Sequence, residues 1–577
     1  MRDTARTSVE GHQARLLGQA KIRMLFVAAV FMVGYLAVSL RLVDLTLLRD
    51  TQETQTAQSA AADKDAPRKP ARALRGTITD RNGELMATSL RMASVFADAT
   101  VVSDAAKLAK QLAQILPEEK EKELFTKLNS KRKFIWIARN ITPRQMQAIN
   151  MLGEPSLGFQ DEARRIYPHG RLTSHILGYT DVDGIGIAGI ERAYQKQLAE
   201  GEDDLRLSID LRIQHLLHRE LGAAMKTFSA KAAIGLVMDV RSGEIIAMVS
   251  LPDFDPYHPA QASDEQKFNR ATLGVFEMGS TMKLFPVAAV LDEGIASFAT
   301  NYDAREPIRF GRHTINDYHA KRRVMTLPEV FIHSSNIGTA RMAQSLGDGG
   351  LRDFYKKIGF LERAPIELPE RGAPLVPRPW REINTLTASY GHGIAVSPVH
   401  LARAAAALTN GGILIEPTML YDETHSHEMK GTRVIKAETS QRVRDLLELV
   451  VAGGTGGKAA AEGYGVGGKT GTADKTLGKG YSKNARLSSF LGIYPIEAPR
   501  YAVLAIIDEP QPTKETYGYA TGGWTAAPVV GKVIEQMAPL YGIAPQSGPK
   551  RDIKAEMARY LKDSKEGKSI ATAGTDR

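Results

Sequence analysis

The sequence predicts an α+β protein in three parts: a single N-terminal transmembrane helix, an elongated α/β pedestal domain, and a larger domain whose central antiparallel sheet is packed by helices. Three observations support this prediction. An uncharged apolar run lies near the N-terminus. Short strand-like runs then alternate with charged helical stretches, and further on two pairs of strand-like runs are separated by long Ala- and Leu-rich helical stretches.

The apolar run covers Met24–Leu40 and extends to Leu48. Because roughly 20 residues cross a bilayer, and because the run is longer than the core of a signal peptide, we expect an anchor rather than a cleaved leader or a buried core helix. Five basic residues precede the run and only two lie in the twenty residues after it. This bias favours a cytoplasmic N-terminus and a periplasmic remainder.

Composition sets the other boundaries. Ser103–Leu116 and Ile141–Leu152 predict helices of the pedestal, and the charged C-terminal tail contains one short amphipathic piece at Ile553–Leu561. We expect that tail to be mostly disordered. The predicted segments are a cytoplasmic segment at 1–23, an anchor at 24–48, and a flexible spacer at 49–73 that is rich in Gln, Thr, Ala and Lys. The pedestal follows at 74–228, the larger domain at 229–545 and the tail at 546–577.

Two hairpins form the predicted sheet of the larger domain. Ile234–Val240 and Glu244–Ser250 flank the turn Arg241-Ser242-Gly243. Residues 488–494 and 500–508 flank a second turn that contains Pro and Glu. These apolar runs around turn residues indicate antiparallel strands against which the intervening helices pack.

Composition also excludes several classes of function. The 577 residues contain no Cys, which excludes disulfides, thiolate metal sites and thiol nucleophiles. The net charge of +10 is scattered among 65 acidic residues without a basic stripe interleaved with aromatics, so nucleic-acid binding is not expected. The run His425–Glu428 lies in a polar stretch without a further ligand, so we assign no metal and expect no cofactor.

Ser280 and Lys283 open the apolar helical run LFPVAAVL. At a spacing of three they share one helical face, where a desolvated, neutral lysine can take the serine proton and helix-start amides can stabilise the anion. Pro286 is expected to disrupt this helix because it removes a ladder bond. Ser130–Lys133 has the same spacing, and a helix cap beside a solvated lysine is the alternative reading of Ser280.

Two further motifs favour the catalytic reading of Ser280 over the helix-cap reading. Ser334 and Asn336 follow an apolar segment and precede a helical one, where a hydroxyl can relay protons and an amide can bind substrate. Ser482–Asn484 matches the same pattern, whose common meaning is a turn or cap. Lys469–Thr472 occurs in YGVGGKTGTADK, where its cation and hydroxyls can hold a carboxylate and the Thr472 amide can donate to an oxyanion.

Lys469–Thr472 has one competing interpretation. Gly463, Gly468, Lys469 and Thr470 fall at the spacing of a phosphate-binding loop. Such a loop needs an apolar strand before it and a helix after it, whereas AAAEGY precedes and Gly-Thr-Ala-Asp-Lys follows. We therefore favour the carboxylate-binding interpretation, in which Gly471 allows the strand to approach a ligand closely.

Ser-x-x-Lys, Ser-x-Asn and Lys-Thr-Gly in this order are the signature of penicillin-binding proteins and serine β-lactamases. Over most of its length the chain resembles class B penicillin-binding proteins, and most of all the division-specific septal D,D-transpeptidases of the FtsI family; the elongation-specific class is the close alternative. The resemblance is also carried by the pedestal segments Arg75–Gly76, Asp80–Gly83, Arg165–Pro168 and Gly189–Glu191, and by Ser389–Gly393 and Gly454–Gly456 in the larger domain.

The resemblance implies a role for each motif residue. Ser280 would be the acylated nucleophile and Lys283 its base. Ser334 and Asn336 would form the second motif. The carboxylate-binding residues, with their glycine, would be Lys469, Thr470, Gly471 and Thr472. The backbone N–H groups of Ser280 and Thr472 would stabilise the oxyanion. The chain departs from the family pattern at Phe276, Met278 and His392, where tyrosine, proline and an aromatic residue are usual.

The implied function is septal cross-linking of peptidoglycan through an acyl-serine that β-lactams also form. The implied partners are stem peptides, β-lactam antibiotics, the membrane, an FtsW-type SEDS-family glycan polymerase and other division proteins, at the inner membrane of the division septum. Two alternatives remain: a D,D-carboxypeptidase or β-lactamase in which water resolves the acyl-enzyme, and a division scaffold with a vestigial site.

Overall fold

The computed structural model describes residues 31–32, 34–36, 38–39, 74–201, 204–311, 313–347, 349–422, 424, 429–477, 480–546 and 551–561. The chain divides into two units, Met1–Arg72 and Ala73–Arg577. In this described part of the chain, no helix is both long enough and apolar enough to cross a membrane. The predicted segments 1–23 and 49–73 lie outside the described residues, as does most of 24–48, so the anchor stays a prediction.

The pedestal is built around one long strand. The strand Leu85–Ala97 pairs with Ile78–Thr79, Ile135–Ile141 and Leu157–Ile166, all antiparallel, and three helices cover one face of the sheet over a core that includes Leu112 and Ile137. The two helices predicted here are confirmed. The strands are β1 Ile78–Thr79, β2 Leu85–Ala97, β3 Ile135–Ile141, β4 Leu157–Ile166 and β5 Leu205–Arg206, and the helices are α1 Ala105–Ile115, α2 Glu121–Leu128, α3 Pro143–Asn150, α4 Ser174–Leu177, α5 Gly189–Ala193 and α6 Gln195–Glu200.

A buried ion-pair cluster joins three of the pedestal segments noted in the sequence. The Glu191 carboxylate is fully buried and accepts from Arg75 Nε at 2.5 Å and from Arg165 Nε at 2.7 Å. Arg165 also donates to the backbone oxygen of Gly76 at 2.8 Å. Because buried charges are stable only when paired and hydrogen-bonded, these segments must fold together.

The larger domain contains a five-stranded antiparallel sheet, whose strands lie in the order Gly467–Leu477, Gly480–Tyr494, Tyr501–Asp508, Ala232–Asp239 and Ile245–Leu251. Both predicted hairpins are confirmed, because Ala232–Asp239 pairs with Ile245–Leu251 and Gly480–Tyr494 pairs with Tyr501–Asp508. The strands are β6 Ala232–Asp239, β7 Ile245–Leu251, β8 Asn301–Asp303, β9 Ile308–Phe310, β10 His313–Ile315, β11 Val324–Thr326, β12 Ile413–Leu414, β13 Thr432–Arg433, β14 Gly467–Leu477, β15 Gly480–Tyr494 and β16 Tyr501–Asp508.

Helices cover both faces of this sheet. Successive side chains of a strand point to opposite faces, and the apolar side chains on each face pack against helices. Leu236 faces one core and Val237 the other. The helices are α7 Leu211–Thr227, α8 Asp264–Lys267, α9 Leu284–Asp292, α10 Leu327–Ile332, α11 Asn336–Ser345, α12 Gly350–Lys357, α13 Glu382–Ser389, α14 Pro398–Thr409, α15 Ala437–Gly453, α16 Ala526–Leu540 and α17 Ile553–Met557.

The structure refines the sequence prediction at two segments. Helix α7 packs on the sheet of the larger domain with α16, although the predicted pedestal segment 74–228 included it. In the tail, the amphipathic piece at Ile553–Leu561 is docked on the larger domain: Ile553 and Met557 are buried in the core, and Thr326 Oγ1 donates to the Tyr560 backbone oxygen at 2.6 Å. The amphipathic piece is therefore long enough to bury two apolar side chains and dock.

Candidate active site

The Ser280 turn is a 3₁₀ helix over Gly279–Lys283 that leads directly into α9. In a 3₁₀ helix the side chains at i and i+3 eclipse, so Ser280 lies above Lys283. Gly279 has a φ of +55°, and a Cβ there would lie 2.6 Å from the Thr472 backbone oxygen. The expected disruption by Pro286 does not arise, because Pro286 lies in the first turn of α9, where no ladder bond is lost.

The Ser334 motif is held between α10 and α11. Ser334 has a φ of +56°, and Ser335 caps α11 by accepting from the Gly338 amide at 2.9 Å. The Asn336 side chain donates to the backbone oxygen of Asn316 at 2.8 Å. Asp317 accepts from Ser335 Oγ at 2.7 Å and from the Ile337 amide at 3.0 Å. The sequence analysis did not identify Asp317, which fixes the turn that presents Ser334.

The Lys469 motif lies in β14, at one end of the sheet order. This strand, rather than a loop leading into a helix, does not fit a phosphate-binding loop. Thr470 Oγ1 is 2.7 Å from Thr455 Oγ1, and Thr472 Oγ1 accepts from the Gly522 amide at 3.2 Å. A Cβ at Gly471 would lie 2.3 Å from Ser489 Oγ and 2.8 Å from the backbone oxygen of Met278, so only glycine lets β14 approach the Ser280 turn.

Two buried lysines meet at Ser334. Lys283 Nζ and Lys469 Nζ each donate to Ser334 Oγ at 3.1 Å, and both side chains are fully buried. Burial, and then the neighbouring charge of Lys469, hold the pKa of Lys283 well below its usual range. Burial lowers the pKa of Lys469 to about 7. The lowered pKa favours the neutral amine of Lys283, which lies beside a hydroxyl that connects it to Lys469.

The segment Ser389–Gly393 closes the other side of the Ser280 turn. Gly391 has a φ of +92°, and a Cβ there would lie 2.1 Å from the Gly279 backbone oxygen. The Gly279 amide donates to the Gly391 oxygen at 3.3 Å, and the Gly393 amide donates to Glu277 Oε1 at 2.8 Å. Burial, followed by the charge of Lys283, lowers the pKa of His392. The sequence analysis noted this segment but gave it no role.

The structure thus brings the Ser280, Ser334 and Lys469 motifs together and leaves their sequence duplicates elsewhere. Ser130 follows the end of α2 in the pedestal, and Ser482 and Asn484 lie in the first part of β15. The run His425–Glu428 lies outside the described residues.

This fold and motif order define the class of penicillin-binding serine enzymes. Residues 233–535 match the family model of the penicillin-binding protein transpeptidase domain, and residues 70–207 match that of the penicillin-binding protein dimerisation domain. The chain belongs to the class B penicillin-binding proteins.

Named relatives share most of the chain. It is 40% identical to the probable peptidoglycan D,D-transpeptidase FtsI of Caulobacter vibrioides, over 81% of this chain and 82% of that protein. It is 30% identical to the peptidoglycan D,D-transpeptidase FtsI of Escherichia coli, over 82% of this chain and 84% of that protein. The fold matches that of penicillin-binding protein 3 from Mycobacterium tuberculosis, with a TM-score of 0.64, 24% identity, and coverage of 83% of this chain and 98% of that one.

Proposed function

We propose that this chain is a septal peptidoglycan D,D-transpeptidase that cross-links stem peptides through an acyl-serine on Ser280 and is inhibited by β-lactams. The observation that carries the proposal is the convergence of two buried lysines on one hydroxyl, with each Nζ 3.1 Å from Ser334 Oγ. The names of the FtsI relatives support both the reaction and the division role. Side-chain and backbone groups of the chain act in each step of the proposed reaction.

In the first half-reaction, Ser280 Oγ attacks the carbonyl carbon of the penultimate D-Ala, and its proton passes to the neutral amine of Lys283. The backbone amides of Ser280 and Thr472 stabilise the oxyanion. The bond to the terminal D-Ala then breaks, and the leaving amine takes a proton through Ser334. Lys469 and Thr470 hold the terminal carboxylate, and Asn336 holds the donor amide.

In the second half-reaction, an amine from a neighbouring stem peptide attacks the ester carbonyl. Its proton returns through Ser334 and Lys283 to Ser280 Oγ, and a new amide bond forms. The same ester forms with a β-lactam, whose ring opens without releasing a leaving group. Its carboxylate would occupy the position at Lys469 and Thr470.

The reaction is tested by product analysis on the purified full chain, with a stem pentapeptide donor and increasing concentrations of an acceptor amine. The proposal predicts that the transfer product grows at the expense of the hydrolysed tetrapeptide, and that Ser280→Ala abolishes both while the control Ser130→Ala retains them. A tetrapeptide yield independent of acceptor would identify a hydrolytic enzyme, a D,D-carboxypeptidase, instead. Absence of any turnover by a folded chain would favour the scaffold alternative.

We also propose that the chain is a single-pass inner-membrane protein, anchored by 24–48, which acts at the septum with an FtsW-type SEDS polymerase and other division proteins. The uncharged run at Met24–Leu40 and the FtsI relatives support this proposal. Depletion separates it from the elongation-specific alternative: filamentous cells with a fluorescent fusion at mid-cell support division, whereas rounded cells with sidewall signal contradict it.

A further inference from the structure

An exposed surface borders Thr470, the residue to which we assign the terminal carboxylate of the donor. Thr455 Oγ1 lies 2.7 Å from Thr470 Oγ1. A Cβ at Gly523 would lie 2.6 Å from the Thr455 backbone oxygen and 3.6 Å from Thr470 Cγ2, so the next residue, Trp524, begins beside both threonines. Three residues after Thr455, Lys458 lies over the indole ring of Trp524. This surface therefore continues directly from the carboxylate-binding end of the site.

We call this surface the shelf, and it consists of Thr455, Lys458, Tyr519 and Trp524. Lys458 is exposed, and its Nζ lies 4.1 Å from the centroid of the Trp524 ring. The Tyr519 ring stacks on Trp524, with centroids 5.9 Å apart and planes at 9°, and Tyr519 is 45% exposed. In the part of the chain that the structure describes, no carboxylate pairs with Lys458. Cation–π attraction therefore holds the ammonium group and leaves its hydrogen-bond donors for an anion.

The geometry of the acyl transfer directs the acceptor towards the shelf. In the proposed reaction the oxyanion lies at the Thr472 amide, and the terminal carboxylate lies two residues earlier in β14, at Thr470. The departing D-Ala therefore occupies the Thr470 end of the strand. The acceptor amine must attack from the position that the leaving amine has vacated, because the two amines occupy equivalent positions about the same carbonyl. The rest of the acceptor then extends past Thr470, where the shelf lies.

We propose that the shelf binds the acceptor stem peptide, and that Lys458 binds a carboxylate of that peptide while Trp524 and Tyr519 pack against its aliphatic atoms. This inference rests on the proposed function of the same site. The acceptor nitrogen forms a bond to the acyl carbon, the ester bond to Ser280 Oγ breaks, and the amine proton returns to that oxygen. Lys458 thereby determines acceptor specificity.

The test uses two acceptors that differ by one charge, D-glutamate and D-glutamine, with isotope-labelled D-alanine as the reference. Each of these carries the amine and the carboxylate of the leaving D-Ala, and only D-glutamate adds a second carboxylate. The purified full chain receives a stem pentapeptide donor, and the ratio of transfer product to hydrolysed tetrapeptide is measured by mass spectrometry at several acceptor concentrations. The ratio for D-glutamate is expected to be about tenfold that for D-glutamine, as one charge-assisted hydrogen bond provides.

Variants of Lys458 test whether this residue sets the preference. Lys458→Gln is expected to bring the preference towards one, and Lys458→Glu to reverse it in favour of D-glutamine. The matched control is Lys532→Gln, which removes a 63% exposed lysine of α16 that lies 3.9 Å from Glu220 on α7 and should keep the preference. Because both acceptors are compared in the same variant, a loss of folded protein cancels in the preference. An unchanged preference in Lys458→Gln overturns the inference.

The outcomes separate this inference from the proposed function. Equal transfer to D-glutamate and D-glutamine in the wild type overturns the inference and leaves the proposed function intact. Hydrolysed tetrapeptide without transfer to any of the three acceptors overturns the proposed function, and the inference with it. A preference for D-glutamate that is lost in Lys458→Gln, reversed in Lys458→Glu and kept in Lys532→Gln supports the inference.

Discussion

Replacing Glu191 by Ala is expected to destabilise the pedestal by about 3–5 kcal/mol, because it removes the shared partner of two buried cations. Arg75 and Arg165 approach the carboxylate at 2.5 and 2.7 Å, and their side chains are 6% and 4% exposed. Without Glu191, neither guanidinium can reach water, and each keeps only its neutral hydrogen-bond acceptors. The cost is therefore that of buried unpaired charge rather than of a lost surface contact.

The assay is thermal unfolding followed by the fluorescence of Trp136, which lies in β3 of the pedestal, in a background where Trp380 and Trp524 are replaced by Phe. Thermal unfolding should shift by about 6–20 °C, at about 2–4 °C per kcal/mol for a domain of this size. The control is Glu123→Ala, whose partner Lys120 is 81% exposed and whose ion pair is worth about 0–1 kcal/mol. A loss at Glu191→Ala no larger than that of the control would refute the reasoning.

Three further predictions test the larger domain. Because burial lowers the pKa of Lys469 to about 7, the unfolded chain binds more protons above that pH, and this lysine should raise stability by up to about 1.4 kcal/mol per pH unit between pH 7 and 10. Lys469→Met should reduce the slope of Tm against pH, although the lowered pKa of Lys283 keeps part of it, and an unchanged slope would contradict the prediction. Gly391→Ala should slow penicillin acylation at least tenfold, because its Cβ would lie 2.1 Å from a backbone oxygen. The control Gly294→Ala, also at positive φ but with no atom within 4 Å of its Cβ, should retain the rate. Equal acylation rates for the two variants would contradict this prediction. Truncation after Gln546 should lower the Tm by about 6 °C, because the buried apolar contacts of α17 are lost. Truncation after Leu561 should leave the Tm unchanged. Equal Tm values for the two truncated chains would show that the docked segment adds no stability.

The sequence predicts those parts of the fold in which the pattern is local. The strands at Ile234–Val240 and Glu244–Ser250 could be predicted because apolar runs flank a turn signal, and the structure confirms the hairpin. The docking of Ile553–Met557 could not be predicted, because its partners on α15 are distant in sequence. Whether a short amphipathic piece packs depends on a surface that only the folded chain creates.

The candidate site shows the same division. The order and spacing of the motifs predict Ser280, Ser334 and Lys469 as site residues, and in the structure Ser334 lies within hydrogen-bond distance of both Lys283 and Lys469. Asp317 has no motif of its own, and it joins the site only because a β-hairpin returns to the start of α11. The role of Gly391 is also hidden in the sequence, since the contact with the Ser280 turn is between backbones.

The measurement that tests the central claim most directly is labelling of the purified full chain with a fluorescent penicillin, followed by peptide mapping of the label. Wild type, Ser280→Ala and the matched control Ser130→Ala are compared at equal concentration. We expect one label on the peptide that contains Ser280, no label in Ser280→Ala, and full label in Ser130→Ala. Label that persists in Ser280→Ala, or that maps to another peptide of the wild type, would contradict the acyl-serine assignment.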